Sequence, residues 1–213
     1  MKKFLVATLL CAVMTVTMVP MAFAAGTNYD ACMAAIQYQK VLQDQAHQRA
    51  EALRAQGYQD SSAGIQAEKK IWHGAQDVIE DHWNLAQYTD EDIRILTTMV
   101  YYESGQTTEQ LRQYVAQVAL NRVADSRFPD TVKGVITQRG QYSTRYATVS
   151  ATQAIPDSYY AVCEASVKQA MMGNVDMPSN VLYQANFSQG KGVWQSVYFN
   201  SGWFASTSYF CYG

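Results

Sequence analysis

Residues Asp92 to Gly105 read DIRILTTMVYYESG, and this stretch constrains the fold of the chain more than any other. Ile93, Leu96 and Val100 recur at the i, i+3, i+7 spacing of one helix face. Glu103 falls on the same stripe at the last turn, after Tyr101 and Tyr102 and before Gly105. A carboxyl on the core-facing side of a helix end loses part of its water, and desolvation favours the protonated form. Such a group can act as an acid near neutral pH. The plain alternative is a helix-end glutamate swung out into solvent.

The start of the chain bounds where that chemistry operates. Lys2 and Lys3 precede an uncharged run from Phe4 to Gly26, which contains Pro20 and then Ala22-Phe23-Ala24. A basic head, an apolar run and a small-x-small site predict a secretory signal over residues 1–24, cleaved after Ala24. An uncleaved membrane anchor is the alternative. Either way the working part is expected outside the cytoplasm, and cleavage leaves no stable membrane insertion. Loss of Lys2 and Lys3 leaves 14 basic against 18 acidic residues, a net charge of −4. No basic stripe remains to hold a phosphate backbone, so nucleic acid is excluded as an expected partner. The remaining thiols are Cys32, Cys163 and Cys211. They allow either a Cys163–Cys211 disulfide or three separate buried thiols.

From Asn28 to Gln56 the chain is rich in Ala and Gln without Pro or Gly, which predicts one long helix. Turn formers fill Gly57 to Gly64, and Ile71, Trp72, Ala75, Val78, Ile79 and Trp83 then make a second helical stripe. Residues 25–88 therefore read as an N-terminal helical hairpin, packed on the main domain or on a second copy of itself, with both tryptophans in its core. Thr89 followed by Asp90, Glu91 and Asp92 caps the Glu103 helix and opens a main domain over 89–213. Thr107-x-x-Gln110 predicts a cap for the next helix, and a short helix is expected from Thr131 to Ile136. Residues 143–156 are polar and without period, the mark of a functional or disordered loop. A helix from Pro156 stops at Gly173. Strand-like runs occupy Val181–Asn186, Gly192–Phe199 and Trp203–Tyr212. Helices succeeded by a small antiparallel sheet make an α+β domain.

No histidine occurs between Thr89 and Gly213. Zinc amidases, papain-like hydrolases and Ser–His esterases all need one, so the main domain can build none of them. His47, His73 and His82 all lie in the hairpin, at no spacing that suits zinc, and no metal or cofactor is expected. Carboxylate chemistry remains. The other acids of the domain stand mostly in turns or at helix starts, where capping explains them. One well-placed Glu suits a lytic transglycosylase, in which the sugar's own 6-hydroxyl attacks the anomeric carbon, better than a two-carboxylate glycosidase.

Val100-Tyr101-Tyr102-Glu103, Val118-Ala119-Leu120-Asn121-Arg122-Val123, Phe128-Pro129-Asp130-Thr131-Val132, Gln138-x-x-Gln141-Tyr142-Ser143 and Leu182-Tyr183-x-x-Asn186 occur in series. Together they resemble the spore-cortex-lytic (SleB-like) cell-wall hydrolases. The resemblance implies a lysozyme-like helical domain with a small antiparallel β subdomain, secreted and associated with the cell wall, whose partner is the peptidoglycan glycan strand. It implies that Glu103 is the catalytic acid and that Tyr102, Tyr142, Ser143, Tyr183 and Asn186 line the substrate groove. Asn121 is expected to hold the fold by bonding backbone. The chain departs from the family pattern at Thr107, where a second Glu often stands, at Phe187 in place of Pro, and at Ser208-Tyr209-Phe210 in place of a His-x-Phe pattern. A two-carboxylate muramidase and a catalytically silent wall-binding module are the alternatives.

Overall fold

The computed structural model describes residues 27–202 and 204–213. The signal expected over 1–24, and Trp203, where the third strand is expected to begin, lie outside the described residues. Two long helices come first, α1 (Asn28–Ala55) and α2 (Ala63–Leu85). They run antiparallel, as Arg49 pairs with Glu68 at 2.9 Å while Gln43 donates to Gln76 at 3.0 Å. The seam is narrow: Cys32, Ile36, Ala46 and Ala50 on α1 meet Ile65, Ala75, Ile79 and Leu85 on α2. Two helices can bury only a thin stripe of each other. For that reason Ile71, Trp72 and Trp83, expected inside, stand exposed, the two indoles at 38% and 40%. The base of the hairpin is fastened to the rest. The Asn28 backbone N–H donates to Asp90 at 2.8 Å, Asn84 donates to the Met172 carbonyl at 2.9 Å, and Asn174 donates to Asp81 at 3.1 Å.

The helix α3 (Asp90–Ser104) is the axis of the main domain. Thr89 and Asp92 exchange bonds in a complete capping box, which satisfies two of the backbone donors that a helix start leaves open. Every residue from Ile95 to Val100 is buried. The sequence pattern predicts one apolar stripe; instead α3 is enclosed on most sides, by α4 (Glu109–Ala124), α5 (Val132–Thr137) and α7 (Asp157–Met172). Of its polar side chains inside the core, Thr98 and Ser104 bond back to the helix, while Thr97 Oγ1 has no partner among the described residues. Thr98 donates to the Arg94 carbonyl at 2.8 Å, and its hydroxyl meets that of Thr152 at 2.8 Å. The cap of α4 falls one residue later than expected: Thr108 accepts from Leu111 N–H, while Thr107 turns back to donate to the Ser104 carbonyl at 2.6 Å. Helix α7 ends at Gly173, whose φ of +91° is the left-handed stop that glycine adopts freely.

The polar stretch after Tyr142 is folded. It forms a 3-10 turn (Thr144–Ala147) and the short helix α6 (Val149–Gln153). Arg94 on α3 clamps both, donating to Ala147 O at 3.1 Å, Thr148 O at 3.3 Å and Thr152 Oγ1 at 3.0 Å.

Strands β1 (Val181–Ala185), β2 (Val193–Asn200) and β3 (Ala205–Tyr212) close the chain as an antiparallel sheet with β3 in the middle. The adjacent residues Phe210 and Cys211 point to opposite faces and are both fully buried. Asn121 on α4 ties the sheet to the helices, donating to Pro178 O at 2.9 Å and Val181 O at 3.0 Å. Among the described residues, seven α-helices with a small antiparallel sheet make this an α+β fold of the lysozyme-like kind. No helix among the described residues is long and apolar enough to cross a membrane.

The three described cysteines are free and buried, so the Cys163–Cys211 bridge does not form. Cys163 sits in α7 against the helical core while Cys211 faces inward from the central strand. Unfolding without reductant in the presence of an alkylating agent is expected to label Cys32, Cys163 and Cys211 alike; a linked peptide containing Cys163 and Cys211 would contradict this. Arg94→Met is expected to cost about 1–3 kcal/mol through the orphaned acceptors. Hydrogen exchange should accelerate first in residues 144–153, and unchanged exchange there would show that the clamp is idle.

Candidate active site

Helix α3 delivers Glu103 to the edge of a groove of about 370 Å³. One wall is the end of α3 and the turn after it, from Tyr101 to Thr107; the other is the end of β2 and the β2–β3 connection, with Phe199, Ser201 and Phe204. Gly105 lets the chain turn closely here, since a Cβ at that position would lie 2.6 Å from the Tyr101 ring. Glu103 continues the Ile93–Leu96–Val100 stripe beyond the point where the core ends. Its side chain reaches solvent, yet its carboxyl lies low among protein atoms. These two facts describe different ends of one situation: a group open to a ligand from the groove and poorly hydrated from behind.

That setting acts on the proton. Burial raises the Glu103 pKa above its ordinary value, and a hydrogen bond from Tyr146 opposes part of the rise. Tyr146 Oη donates to Glu103 Oε1 at 3.1 Å. The same contact appears in the phenol, whose pKa is pushed up to about 12 by burial, by the Glu103 charge and by that hydrogen bond. Tyr146 is held by stacking on Tyr102, with ring centroids 5.2 Å apart and planes 2° from parallel. Tyr102 is held in turn by donating its hydroxyl to the Ala151 carbonyl at 3.1 Å. No cation pairs with Glu103 among the described residues, and Glu103 is the one acid in the groove lining among them.

The residues expected beside Glu103 divide into two neighbourhoods. Tyr102 lines the groove directly. Tyr142 lies between two charges: burial raises its pKa, the Arg122 guanidinium pulls it down, and the Glu103 carboxylate raises it again. Ser143 is exposed as the residue before the 3-10 turn that carries Tyr146. Tyr183 belongs to the surroundings of Arg122, whose buried guanidinium lies 5.8 Å from its ring, 5.2 Å from that of Tyr142 and 5.4 Å from that of Phe128. Arg122 Nε donates to the Leu182 carbonyl at 2.6 Å, so this aromatic cage also fastens β1. Asn186 is exposed just beyond β1.

Sequence reasoning missed Tyr146, Arg145, Phe199 and Phe204. The first two stand in the stretch without period, Phe199 directly follows another aromatic at the end of β2, and Phe204 stands in the β2–β3 connection. Only the tertiary arrangement separates them from their neighbours.

Residues 106–205 match the family described as Cell Wall Hydrolase. This segment, just under half of the chain, is similar to the cell wall hydrolases. The match begins just after Glu103, in the groove-forming turn, and runs through α4, the Tyr146 segment and the sheet to the start of β3. Neither a curated protein nor a solved structure matches the chain. The likeness to this family points to hydrolysis of the cell wall, with peptidoglycan as the substrate.

Tyr146→Phe keeps the ring stack and removes the bond that stabilises the ionised carboxyl. The Glu103 carboxyl is therefore expected to titrate at higher pH in the variant than in the wild type, measured by carbon NMR of labelled glutamate. A shift downward, or none, would mean that the phenol does not bond the carboxylate in solution.

Proposed function

We propose that this cell wall hydrolase is an exported lytic transglycosylase that cleaves the bond between N-acetylmuramic acid and N-acetylglucosamine, with Glu103 as its general acid and base. The observation that carries the reading is the setting of Glu103: the one acid among the described residues of an open groove, raised in pKa by burial and oriented by Tyr146. Protonated Glu103 gives its proton to the glycosidic oxygen as the bond from that oxygen to the muramyl anomeric carbon breaks. The carboxylate left behind accepts the proton of the muramyl 6-hydroxyl while that oxygen closes on the anomeric carbon. The product is a 1,6-anhydro sugar, and no water is consumed. Tyr146 serves both halves by fixing Oε1 and by stabilising the carboxylate between the two transfers.

Phe199 and Phe204 supply apolar faces in the opposite wall, suited to stacking on pyranose rings. A two-carboxylate muramidase would need a second acid roughly 5–10 Å from the first, and the described groove lining offers none. Asn121 supports the site from a distance by holding backbone. The proposal includes a signal over residues 1–24, an appendage over 25–88 and a catalytic domain over 89–213, with the mature protein acting at the wall.

Glu103→Gln keeps the shape and removes the transferable proton. Digestion of purified sacculi by this variant is expected to fall by a factor of about 10²–10⁴, with binding to sacculi and thermal stability preserved. Undiminished release of muropeptides would refute the assignment. Binding without release by the wild type itself would mark the chain as a silent module.

A further inference from the structure

Arg145 stands beside the groove without a counter-charge. Its guanidinium carbon lies 4.8 Å from the centre of the Tyr102 ring, and its backbone is fixed where Thr148 donates to the Arg145 carbonyl through N–H at 3.0 Å and through Oγ1 at 2.8 Å. The side chain is exposed, forms no ion pair, and its N–H groups have no acceptor among the described residues. Its charge reaches the site nonetheless, since it lowers the Tyr146 pKa against the other influences there.

The location has a chemical consequence. A guanidinium bonded to Glu103 would hold the carboxyl ionised and spoil it as an acid. Stacking on Tyr102 occupies one face of the cation and keeps it off Glu103, while the planar edge with its paired donors stays open. Such an edge matches a carboxylate, which it can take with two parallel hydrogen bonds. On a strand of N-acetylated sugars the rings are neutral. Its carboxylates belong to the muramyl unit, either on the attached peptide or on the lactyl ether where the peptide has been removed.

We propose that Arg145 binds a carboxylate of the muramyl unit and so selects strands that carry this charge close to the cleaved bond. The inference rests on the reading of the groove as a peptidoglycan site. Arg145 is thus a specificity residue; it donates no proton, and Glu103 keeps its chemistry without it.

The test compares wild type, Arg145→Gln and Arg145→Lys on three preparations of the same sacculi: intact, stripped of peptide by an amidase, and carbodiimide-coupled to methylamine so that the carboxylates become neutral amides. On strands that carry the bound carboxylate Arg145→Gln is expected to lose about tenfold in turnover at low substrate, the worth of one charge-assisted contact. Arg145→Lys should recover part of it. On carboxyl-blocked strands wild type and Arg145→Gln are expected to be equal. A loss on intact strands that disappears on stripped ones assigns the peptide, and a loss that appears only on stripped strands, where the lactyl carboxyl is freed from its amide, assigns the lactyl carboxylate. Equal rates on both intact and stripped strands, or the same loss on blocked ones, would overturn the proposal. Binding of the three preparations, measured again with each Arg145 variant combined with Glu103→Gln, separates this result from failure of the catalytic assignment, because binding needs no turnover.

Discussion

The bond from Tyr146 to the Glu103 carboxyl is the contact on which the candidate site depends, because it opposes the effect of burial on that carboxyl and fixes where the group points. Burial alone favours the protonated form of the group. An acid that cannot hold a negative charge cannot take a proton back. The phenol opposes part of that rise. The balance is mechanical as well as electrical. Tyr146 rides on a segment with little core of its own, held by Arg94 from α3 and by the Tyr102 bond to Ala151. One helix therefore supplies the acid, the clamp and the stacking partner. Acid and orienter are fixed relative to each other within a single rigid element.

That economy explains why α3 is so thoroughly buried. A helix end that must present a carboxyl at a defined height needs a shaft that does not move, and Ile95 to Val100 pack on most sides. Thr98 in that run bonds within the helix and to Thr152, which couples the core to the segment bearing Tyr146. The sheet forms the facing wall. Its connection to the helices runs through buried side chains of α4, Asn121 to the backbone before and in β1 and Arg122 to Leu182. The Asn-Arg pair thus fastens β1 to α4.

Local signals were legible and tertiary ones were not. The capping box at Thr89, the glycine stop at Gly173 and the three strands arise from residues adjacent in the chain, and the structure has them where the sequence pattern puts them. The Glu103 stripe was readable as well, though not that the helix would be enclosed all round. The turn at 144–147 carries no local signal because its stability comes from Arg94, about fifty residues earlier in the chain. Trp72 and Trp83 looked like core because a stripe does not reveal how wide its partner is. The Cys163–Cys211 pairing weighed composition alone, and a helix face and a central strand hold those thiols apart. Thr107 and Thr108 compete for one cap, and the bond from Thr107 back to Ser104 decides it.

A single poised carboxyl has a signature in the products. In the proposed reaction, cleavage by Glu103 with the sugar's own hydroxyl as nucleophile takes nothing from the solvent. Digestion of sacculi by the wild-type protein in water enriched in heavy oxygen, followed by mass spectrometry of the muropeptides, reads this directly. The account predicts anhydro ends that carry no label. Labelled oxygen at the anomeric carbon of reducing ends would show that water is the nucleophile and would contradict it.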